Sequence, residues 1–300
     1  IFRYMLTSGA ADFLSKPVDA QGLERAVMRA EALVGGDSGK RRLGRCVAVV
    51  GARGGVGAST VAGNLAWVLS ERFNRRVMLI DLDLQFGTTS FAFDLQPAHG
   101  LREAVEDPDR IDEVFLDRAS QQLGDRLRVL ADEEAVDQPP DVKPGAYRAL
   151  IESLRESYDV VVLDLPRRLL AQQADIAAYL TNAVIVSNQS LTGLRDTNRL
   201  TRTLKSYNPD LRVLIATNSA HRNASDELNA SDFAKQLQEK LAIRLPFDAR
   251  ATVRAIRGGR PIGEAAPRSK LLKALEELGT RLVGAAPEKR RSWFTRLIGR

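Results

Sequence analysis

The chain has 300 residues, of which 44% are hydrophobic and 27% are charged, and its formal net charge is +6. This length and balance suffice for one sizeable α/β domain with appendages, or for two small domains, and they exclude a disordered, collagenous or coiled-coil chain. The single cysteine, Cys46, excludes an intramolecular disulfide and a metal cluster built from cysteines of this chain.

The positive charge is concentrated in two segments. Residues 35–45 carry a net charge of +3 and residues 285–300 carry +4, so the rest of the chain is close to neutral. A nearly neutral body argues against nucleic acid as a partner. No apolar run approaches the roughly 20 residues of a membrane span and no signal peptide is recognisable, which predicts a cytoplasmic protein. Because Ile1 opens the chain in what resembles the middle of a fold, we expect further residues upstream.

The first predicted unit covers residues 1–34. It ends in a helix whose apolar residues recur at helical spacing, namely Leu23, Ala26, Val27, Ala30 and Val34. The following residues, 35–44, are rich in glycine and charge, and they predict a flexible linker.

From residue 45 onward, short apolar runs alternate with helical segments. The predicted strands are Cys46–Val50, Val77–Ile80, Leu127–Leu130, Val160–Leu163, Ala183–Val186, Val213–Ala216 and Ile243–Leu245. Helical stretches between them include Ser59–Phe73, Tyr147–Glu156 and Leu194–Ser206. Continuous apolar strands separated by helices predict an α/β fold with a doubly wound, mostly parallel sheet that is covered on both faces.

A glycine-rich turn follows the first predicted strand, in the stretch VGARGGVGAST, and a helix begins directly after it. Gly54, Gly55 and Gly57 allow backbone amides to converge on phosphate oxygens, and the N-terminus of the helix favours negative charge. The stretch departs from the plain phosphate-loop pattern G-x-x-x-x-G-K-[ST] at Ala52 and Ala58. The alternative is the glycine-rich turn of a dinucleotide-binding fold.

Three aspartates follow predicted strands. LIDLDLQFG places Asp81 and Asp83 after the second strand, and YDVVVLDLP places Asp164 after another. Open parallel sheets bind their ligands at this carboxyl edge, where a carboxylate holds Mg²⁺ through water. Taken singly, each aspartate could be a solvated strand end. Three of them in this chain order favour a nucleotide phosphate site over a dinucleotide fold.

With these motifs the chain resembles the MinD/ParA group of deviant P-loop ATPases, and most closely the CpaE/TadZ branch of pilus assembly and polar localisation. The loop of that family reads x-K-G-G-x-G-K-[ST], and its first lysine reaches the partner's phosphates across a nucleotide-sandwich dimer. Here Arg53 stands at the first lysine position and Ala58 at the second. The resemblance implies a P-loop NTPase fold that binds ATP and Mg²⁺ and forms a homodimer with ATP.

The resemblance also implies roles for individual residues. Arg53 and Asp83 would be catalytic, with Asp83 positioning the attacking water, and the magnesium site would comprise Ser59, Asp81 and Asp164, partly through water. The residues implied to bind nucleotide are Gly54, Gly55, Val56, Gly57, Ala58, Ser59, Thr60, Asn218 in VLIATNSA, and Pro246 and Asp248 in LPFDARATVRAIRGGRPI. The matching region, residues 45–284, is the predicted ATPase domain.

The N-terminal stretch GAADFLSKPVD resembles the last strand and helix of a response-regulator receiver domain, with Lys16 and Pro17 as its lysine-proline pair. Proteins of the CpaE type carry such a domain ahead of the ATPase. We therefore interpret residues 1–34 as the C-terminal part of a receiver-like domain.

Loss of the loop lysine is expected to weaken hydrolysis more than binding, because backbone amides and magnesium supply much of the grip on phosphate. Removing one well-placed electrostatic donor raises a barrier by about 3 to 4 kcal/mol, or about a hundred- to a thousandfold in rate. Arg53 compensates in part, since a guanidinium bridges phosphate oxygens in bidentate fashion. We therefore expect a slow ATPase whose dimerisation depends on ATP.

Residues 285–300 form a basic tail that contains EKRRSWFTRLIGR. On a helix its apolar residues share one face, namely Trp293, Phe294, Leu297 and Ile298, with arginines toward the borders. This composition is typical of an interfacial membrane helix, and it resembles the membrane-targeting sequence of MinD. The alternatives are a helix docked on the protein's own surface and a disordered basic end. The membrane interpretation predicts peripheral attachment at the inner face of the cell membrane, at a pole.

Three functions remain open. The first is a localisation switch for type IV (Flp/Tad) pili or related secretion machinery, which the neutral body and the aromatic tail favour. The second is a ParA-like DNA partition ATPase, and the third is a catalytically silent scaffold, for which Ala58 is the main observation. An iron–sulfur reductase would need cysteine ligands that the sequence lacks. Neither His99 nor His221 lies beside the nucleophile signature of a Ser-His-Asp hydrolase.

Overall fold

The computed structural model describes residues 43–96, 98–173, 176–218 and 228–285. In these ranges one sheet of eight strands has the order β3-β4-β2-β5-β1-β6-β7-β8. The strands are β1 Arg45–Gly51, β2 Val77–Asp81, β3 Gln121–Gln122, β4 Leu127–Leu130, β5 Val160–Asp164, β6 Asn182–Ser187, β7 Arg212–Asn218 and β8 Leu241–Leu245. Neighbouring strands are parallel except β3 and β4, which are antiparallel. The predicted α/β fold with a mostly parallel sheet is therefore confirmed.

Helices connect most of the parallel strands. They are α1 Ala58–Glu71, α2 Thr89–Ala92, α3 Gly100–Glu106, α4 Glu113–Ala119, α5 Ala146–Ser157, α6 Arg167–Gln172, α7 Ile176–Tyr179, α8 Leu191–Tyr207, α9 Ala230–Gln236, α10 Ala249–Arg257, α11 Ile262–Ala265 and α12 Lys270–Val283. A short 3-10 helix covers Pro108–Arg110. The three helices that the sequence predicted correspond to α1, α5 and α8.

The hydrophobic core has two layers, one on each face of the sheet. Because successive strand residues point to opposite faces, Val47 and Val49 of β1 join a cluster with α1 and α12. Cys46, Ala48 and Val50 join the other cluster, which includes α3 and α5. The strand is thus buried on both sides, as a parallel sheet covered by helices requires.

The boundaries differ from the predictions at a few places. β3 was not predicted, because two glutamines at a sheet edge carry no hydrophobic periodicity. β7 extends to Asn218, which pairs with Leu245, and β8 begins at Leu241, which pairs with Ile215, so both strands are longer than predicted. The predicted receiver-like unit and residues 286–300 of the tail lie outside the described residues, so the domain boundaries stay predictions.

The end of β4 leads to a buried carboxylate, Asp132, which is 2% exposed. Its Oδ2 atom accepts the N–H of Arg102 at 2.7 Å, whereas its Oδ1 atom has no hydrogen-bond partner among the described residues. Burial raises the pKa of Asp132 from 3.8 to about 6; the charge of Glu134 adds to this, and His99 opposes it. Ionisation of this carboxyl at neutral pH therefore lowers the stability of the folded protein.

We expect Asp132→Asn to raise the free energy of unfolding at pH 7.5 by about 1 to 3 kcal/mol. The wild-type carboxyl binds a proton more tightly when folded, so stability falls as the pH rises from about 4 to about 6 and stays lower above that window. Asparagine keeps an acceptor for Arg102 and removes the charge. Urea unfolding at pH 5 and pH 7.5 measures the change, with exposed Asp109→Asn as the control. If the free energy of unfolding depended on pH equally in Asp132→Asn and wild type, this expectation would be wrong.

Candidate functional site

The sheet register brings the predicted carboxylates together. β2 and β5 are parallel neighbours, and Asp81 lies directly opposite Asp164 in their register. β1 lies beside β5, so the loop that follows β1 reaches the same edge of the sheet. There a cavity of about 740 Å³ is lined by residues of the loop and by all three predicted aspartates.

The phosphate loop is held in a left-handed turn that requires glycine. Gly57 has φ 87° and ψ 25° and immediately precedes α1. A Cβ atom at Gly57 would lie only 2.8 Å from Nδ2 of Asn218. That same Nδ2 atom donates to the carbonyl of Val56 at 2.8 Å, and the N–H of Ala52 donates to Val186 at 2.8 Å. The loop is therefore anchored to β6 and β7.

Asp81 organises the segment after β2. Its side chain is 1% exposed and accepts backbone N–H groups from Asp83 at 3.1 Å, Thr88 at 3.1 Å and Thr89 at 3.2 Å. Burial raises its pKa, although these hydrogen bonds act in the opposite direction. Asp81 thus fixes the backbone that carries Asp83, in addition to any contribution to a magnesium site.

Asp164 is the second buried carboxylate, with 6% exposure, and it lines the cavity together with Ser59. Burial and the nearby charge of Asp81 raise its pKa. Two facing carboxylates beside a hydroxyl are a donor set that Mg²⁺ accepts, and a cation there would offset their mutual repulsion. The structure therefore brings Ser59, Asp81 and Asp164 together, and these residues fit the predicted ion.

Arg53 and Asp83, the predicted catalytic residues, both line the cavity and both have ion-pair partners. Nη1 of Arg53 lies 3.0 Å from Oδ2 of Asp196 on α8, with the arginine side chain 42% exposed. Asp83 accepts the N–H of Phe86 at 3.1 Å and also pairs with Arg168. Such exposed pairs are weak, so both side chains can exchange partners.

Two arginines of the cavity, Arg167 and Arg168 at the start of α6, were not predicted from the sequence. Nη1 of Arg167 donates to the carbonyl of Ala52 at 2.9 Å, which ties α6 to the phosphate loop. The signal was present in the sequence. Both arginines follow Asp164 closely, so they lie at the same carboxyl edge of the sheet from which the aspartates were predicted to bind a ligand.

The residues predicted to lie near adenine are more dispersed. Asn218 contacts the phosphate loop, whereas Asp248 caps α10 through the N–H of Ala251 at 3.1 Å and accepts the hydroxyl of Ser269 at 2.7 Å. Pro246 precedes this cap after β8. Neither Pro246 nor Asp248 is among the described residues that line the phosphate cavity. Their contact with a nucleotide stays a prediction.

The membrane prediction rests on Trp293, Phe294, Leu297 and Ile298, which lie outside the described residues. Within the described ranges, none of the helices has the length and apolar character needed to cross a bilayer.

Residues 44–213, more than half of the chain, match the model of a family described as AAA domain. The chain is similar to the antiactivator FleN of Pseudomonas aeruginosa, with 24% identity over 246 residues, which is 79% of this chain and 85% of that protein.

Two solved structures share the fold. A ParA family ATPase from Chlorobium tepidum superposes with a TM-score of 0.71 at 24% identity, covering 78% of this chain and 98% of that chain. The septum site-determining protein MinD from Pyrococcus horikoshii, complexed with Mg-ADP, gives a TM-score of 0.68 at 21% identity, covering 80% and 96%. Taken with the family match, these likenesses show that the chain belongs to the AAA domain family, as a member of the MinD/ParA group of P-loop ATPases.

Proposed function

We propose that the chain is an ATP-dependent localisation factor of the CpaE/TadZ branch. It would place type IV (Flp/Tad) pili or related secretion machinery at the inner face of the cell membrane, at a pole. It binds ATP with Mg²⁺, forms a homodimer with ATP and hydrolyses ATP slowly to ADP and phosphate. The observation that carries the proposal is the buried pair of Asp81 and Asp164, held in register beside Ser59 at a phosphate loop.

In this proposal each part of the site has one task. The amides of the phosphate loop bind phosphate oxygens, and Ser59, Asp81 and Asp164 would hold magnesium, partly through water, and the ion would supply positive charge when bound. Asp81 fixes the segment that carries Asp83, and Asp83 positions water. Asn218, Pro246 and Asp248 lie toward the adenine.

The proposed ATP-dependent dimer depends on Arg53. Its side chain lines the cavity, pairs with Asp196 and is 42% exposed. Because an exposed pair contributes only about 0 to 1 kcal/mol, phosphate oxygens of a second copy can compete for the guanidinium. Arg53 then acts in trans, in the manner of an arginine finger.

The first test is Mg-ATP binding and oligomeric state. We expect the wild-type chain to bind Mg-ATP below millimolar concentration and to dimerise with ATP but not with ADP. Arg53→Ala should bind ATP with similar affinity, remain monomeric and lose about a hundred- to a thousandfold in turnover. Fluorescent-nucleotide titration and light scattering measure these quantities, with exposed Arg202→Ala as the control. A wild-type chain that fails to bind Mg-ATP at millimolar concentration would leave the silent scaffold as the function.

Membrane residence is proposed to follow dimerisation. A single short basic amphipathic helix binds anionic lipid weakly, and two tails in a dimer bind far more tightly through their effective concentration. Removal of residues 287–300 should therefore abolish ATP-dependent co-sedimentation with anionic vesicles. Unchanged co-sedimentation would contradict membrane attachment through the tail, and it would not affect the proposal that the chain binds nucleotide.

A ParA-like DNA partition ATPase is the second candidate, and α10 favours it. Arg250, Arg254 and Arg257 are exposed and recur at helical spacing, so they share one face of that helix. Salt-titrated DNA binding separates the two candidates, because phosphate contacts give a steep dependence on salt.

A further inference from the structure

The phosphate cavity has more positive charge than its loop provides. Three arginines line it, Arg53, Arg167 and Arg168, although the loop itself carries Ala58 where related loops have lysine. Arg167 and Arg168 come from a different element, the start of α6. They follow Asp164 at the end of β5, whereas Arg53 follows β1.

The two α6 arginines are engaged differently. Arg167 donates to the backbone carbonyl of Ala52 at 2.9 Å, so it braces the loop. Arg168 contacts the carboxylate of Asp83, and its guanidinium carbon lies 5.3 Å from the centre of the Phe86 ring. One arginine is thus fixed on backbone, whereas the other is held by side chains.

The partners of Arg168 are easily exchanged. The side chain of Arg168 is 51% exposed, that of Asp83 is 23% exposed, and Phe86 is 57% exposed. An exposed ion pair of this kind is weak. A phosphate group carries more negative charge than a carboxylate and accepts the guanidinium fork through two oxygens, so it competes well for the same arginine.

We propose that Arg168 binds the terminal phosphate of the nucleotide and gives up Asp83 when it does so. This inference rests on the proposed function, since it requires ATP in the cavity. ADP lacks the terminal phosphate, so Arg168 stays on Asp83 with ADP and leaves it with ATP. Asp83 becomes free to hold water only in the ATP state. Arg168 thereby distinguishes ATP from ADP from within the same chain, with charge that Ala58 does not supply.

The test compares affinities for a non-hydrolysable ATP analogue and for ADP, both with Mg²⁺, by calorimetry on the full chain. Arg168→Ala should weaken binding of the analogue about 10- to 100-fold, the loss expected for a charged hydrogen-bonded contact. ADP affinity should stay within about twofold. Arg168→Lys keeps the charge without the bidentate fork, so its affinity for the analogue should lie between those of wild type and Arg168→Ala. The control, Arg202→Ala on α8, should change neither affinity.

A second comparison distinguishes direct contact of Arg168 with phosphate from simple neutralisation of the charge of Asp83. Loss of Arg168 also exposes the negative charge of Asp83, which by itself repels phosphate. In an Asp83→Asn background that repulsion is removed, and Arg168→Ala should still weaken binding of the analogue by a similar factor. If the loss disappears in that background, Arg168 only masks Asp83 and the inference is overturned.

The outcomes also separate this inference from the proposed function. A wild-type chain that binds neither nucleotide overturns both. A wild-type chain that binds the analogue and ADP, with the same affinity ratio in Arg168→Ala, overturns the role of Arg168 alone. Thermal unfolding of each variant checks that the fold is kept, and Arg168→Lys preserves a test if the alanine variant is unstable.

Discussion

Replacing Ala58 with lysine is expected to raise the rate of ATP hydrolysis about a hundred- to a thousandfold, because it restores a positive charge where charge builds up during phosphoryl transfer. Ala58 is the first residue of α1 and lines the cavity together with Ser59 and Thr60. The cavity is open and measures about 740 Å³, so a longer side chain has room to enter it.

Affinity should change much less than rate. The backbone amides of the loop and the proposed magnesium ligands already hold the phosphates in the ground state, and a lysine adds mainly to the transition state. We therefore expect turnover to rise while the dissociation constant for Mg-ATP stays within about tenfold. Single-turnover hydrolysis and nucleotide titration measure the two quantities separately.

Ala58→Met is the matched control for this substitution. Methionine has nearly the length of lysine without its charge, so it reproduces the steric change alone and should leave turnover low. If Ala58→Lys hydrolyses ATP no faster than Ala58→Met, the arginines of the cavity already supply the missing charge. Turnover that rises in both variants would instead point to a packing effect at the start of α1.

The sheet could be predicted from the sequence because its central strands are buried on both faces. Runs such as those of β2 and β5 read as continuous apolar stretches, and their ends place Asp81 and Asp164 without further information. The edge strand β3 could not be predicted, since its two glutamines are placed by antiparallel pairing with β4 and not by burial. Local pattern therefore identifies the core of the sheet better than its edge.

Side-chain partners were the harder part of the site. Arg53 and Asp196 are separated by 143 positions in the chain, and Asp83 and Arg168 by 85. Such pairs depend on how α6 and α8 pack beside the loop, which hydrophobic periodicity does not encode. The motif identified the loop residues and the three aspartates that line the cavity, but it did not include Arg167 and Arg168. The tertiary structure was needed to show that Arg53 and Asp83 each contact a residue that the motif did not include.

The approach of α11 to α1 provides the second large expected effect. Gly263 of α11 is buried against Trp67 of α1, and a Cβ atom at this glycine would lie 1.8 Å from Cζ3 and 2.0 Å from Cη2 of the indole ring. Trp67 is 5% exposed and belongs to the cluster shared by α1 and α12. The ring is rigid and enclosed, so it has little freedom to move away.

We expect Gly263→Ala to lower the free energy of unfolding by about 3 kcal/mol or more, the upper range for overpacking a core. Urea unfolding followed by circular dichroism measures the loss. Gly54→Ala is the control for stability, because a Cβ there meets nothing within 4 Å. A loss no larger than that of the control would contradict the close approach.

A second substitution identifies the cause of the loss. Trp67→Leu destabilises by itself but removes the ring that the new methyl group would strike, so adding Gly263→Ala to it should have a much smaller effect than in wild type. The N–H of Ile262 in α11 also donates to Oδ1 of Asn64 in α1 at 2.7 Å. Because α1 begins at the phosphate loop, we expect Gly263→Ala to weaken Mg-ATP binding as well. Addition of Trp67→Leu should restore part of that binding if the displacement of α1 is its cause.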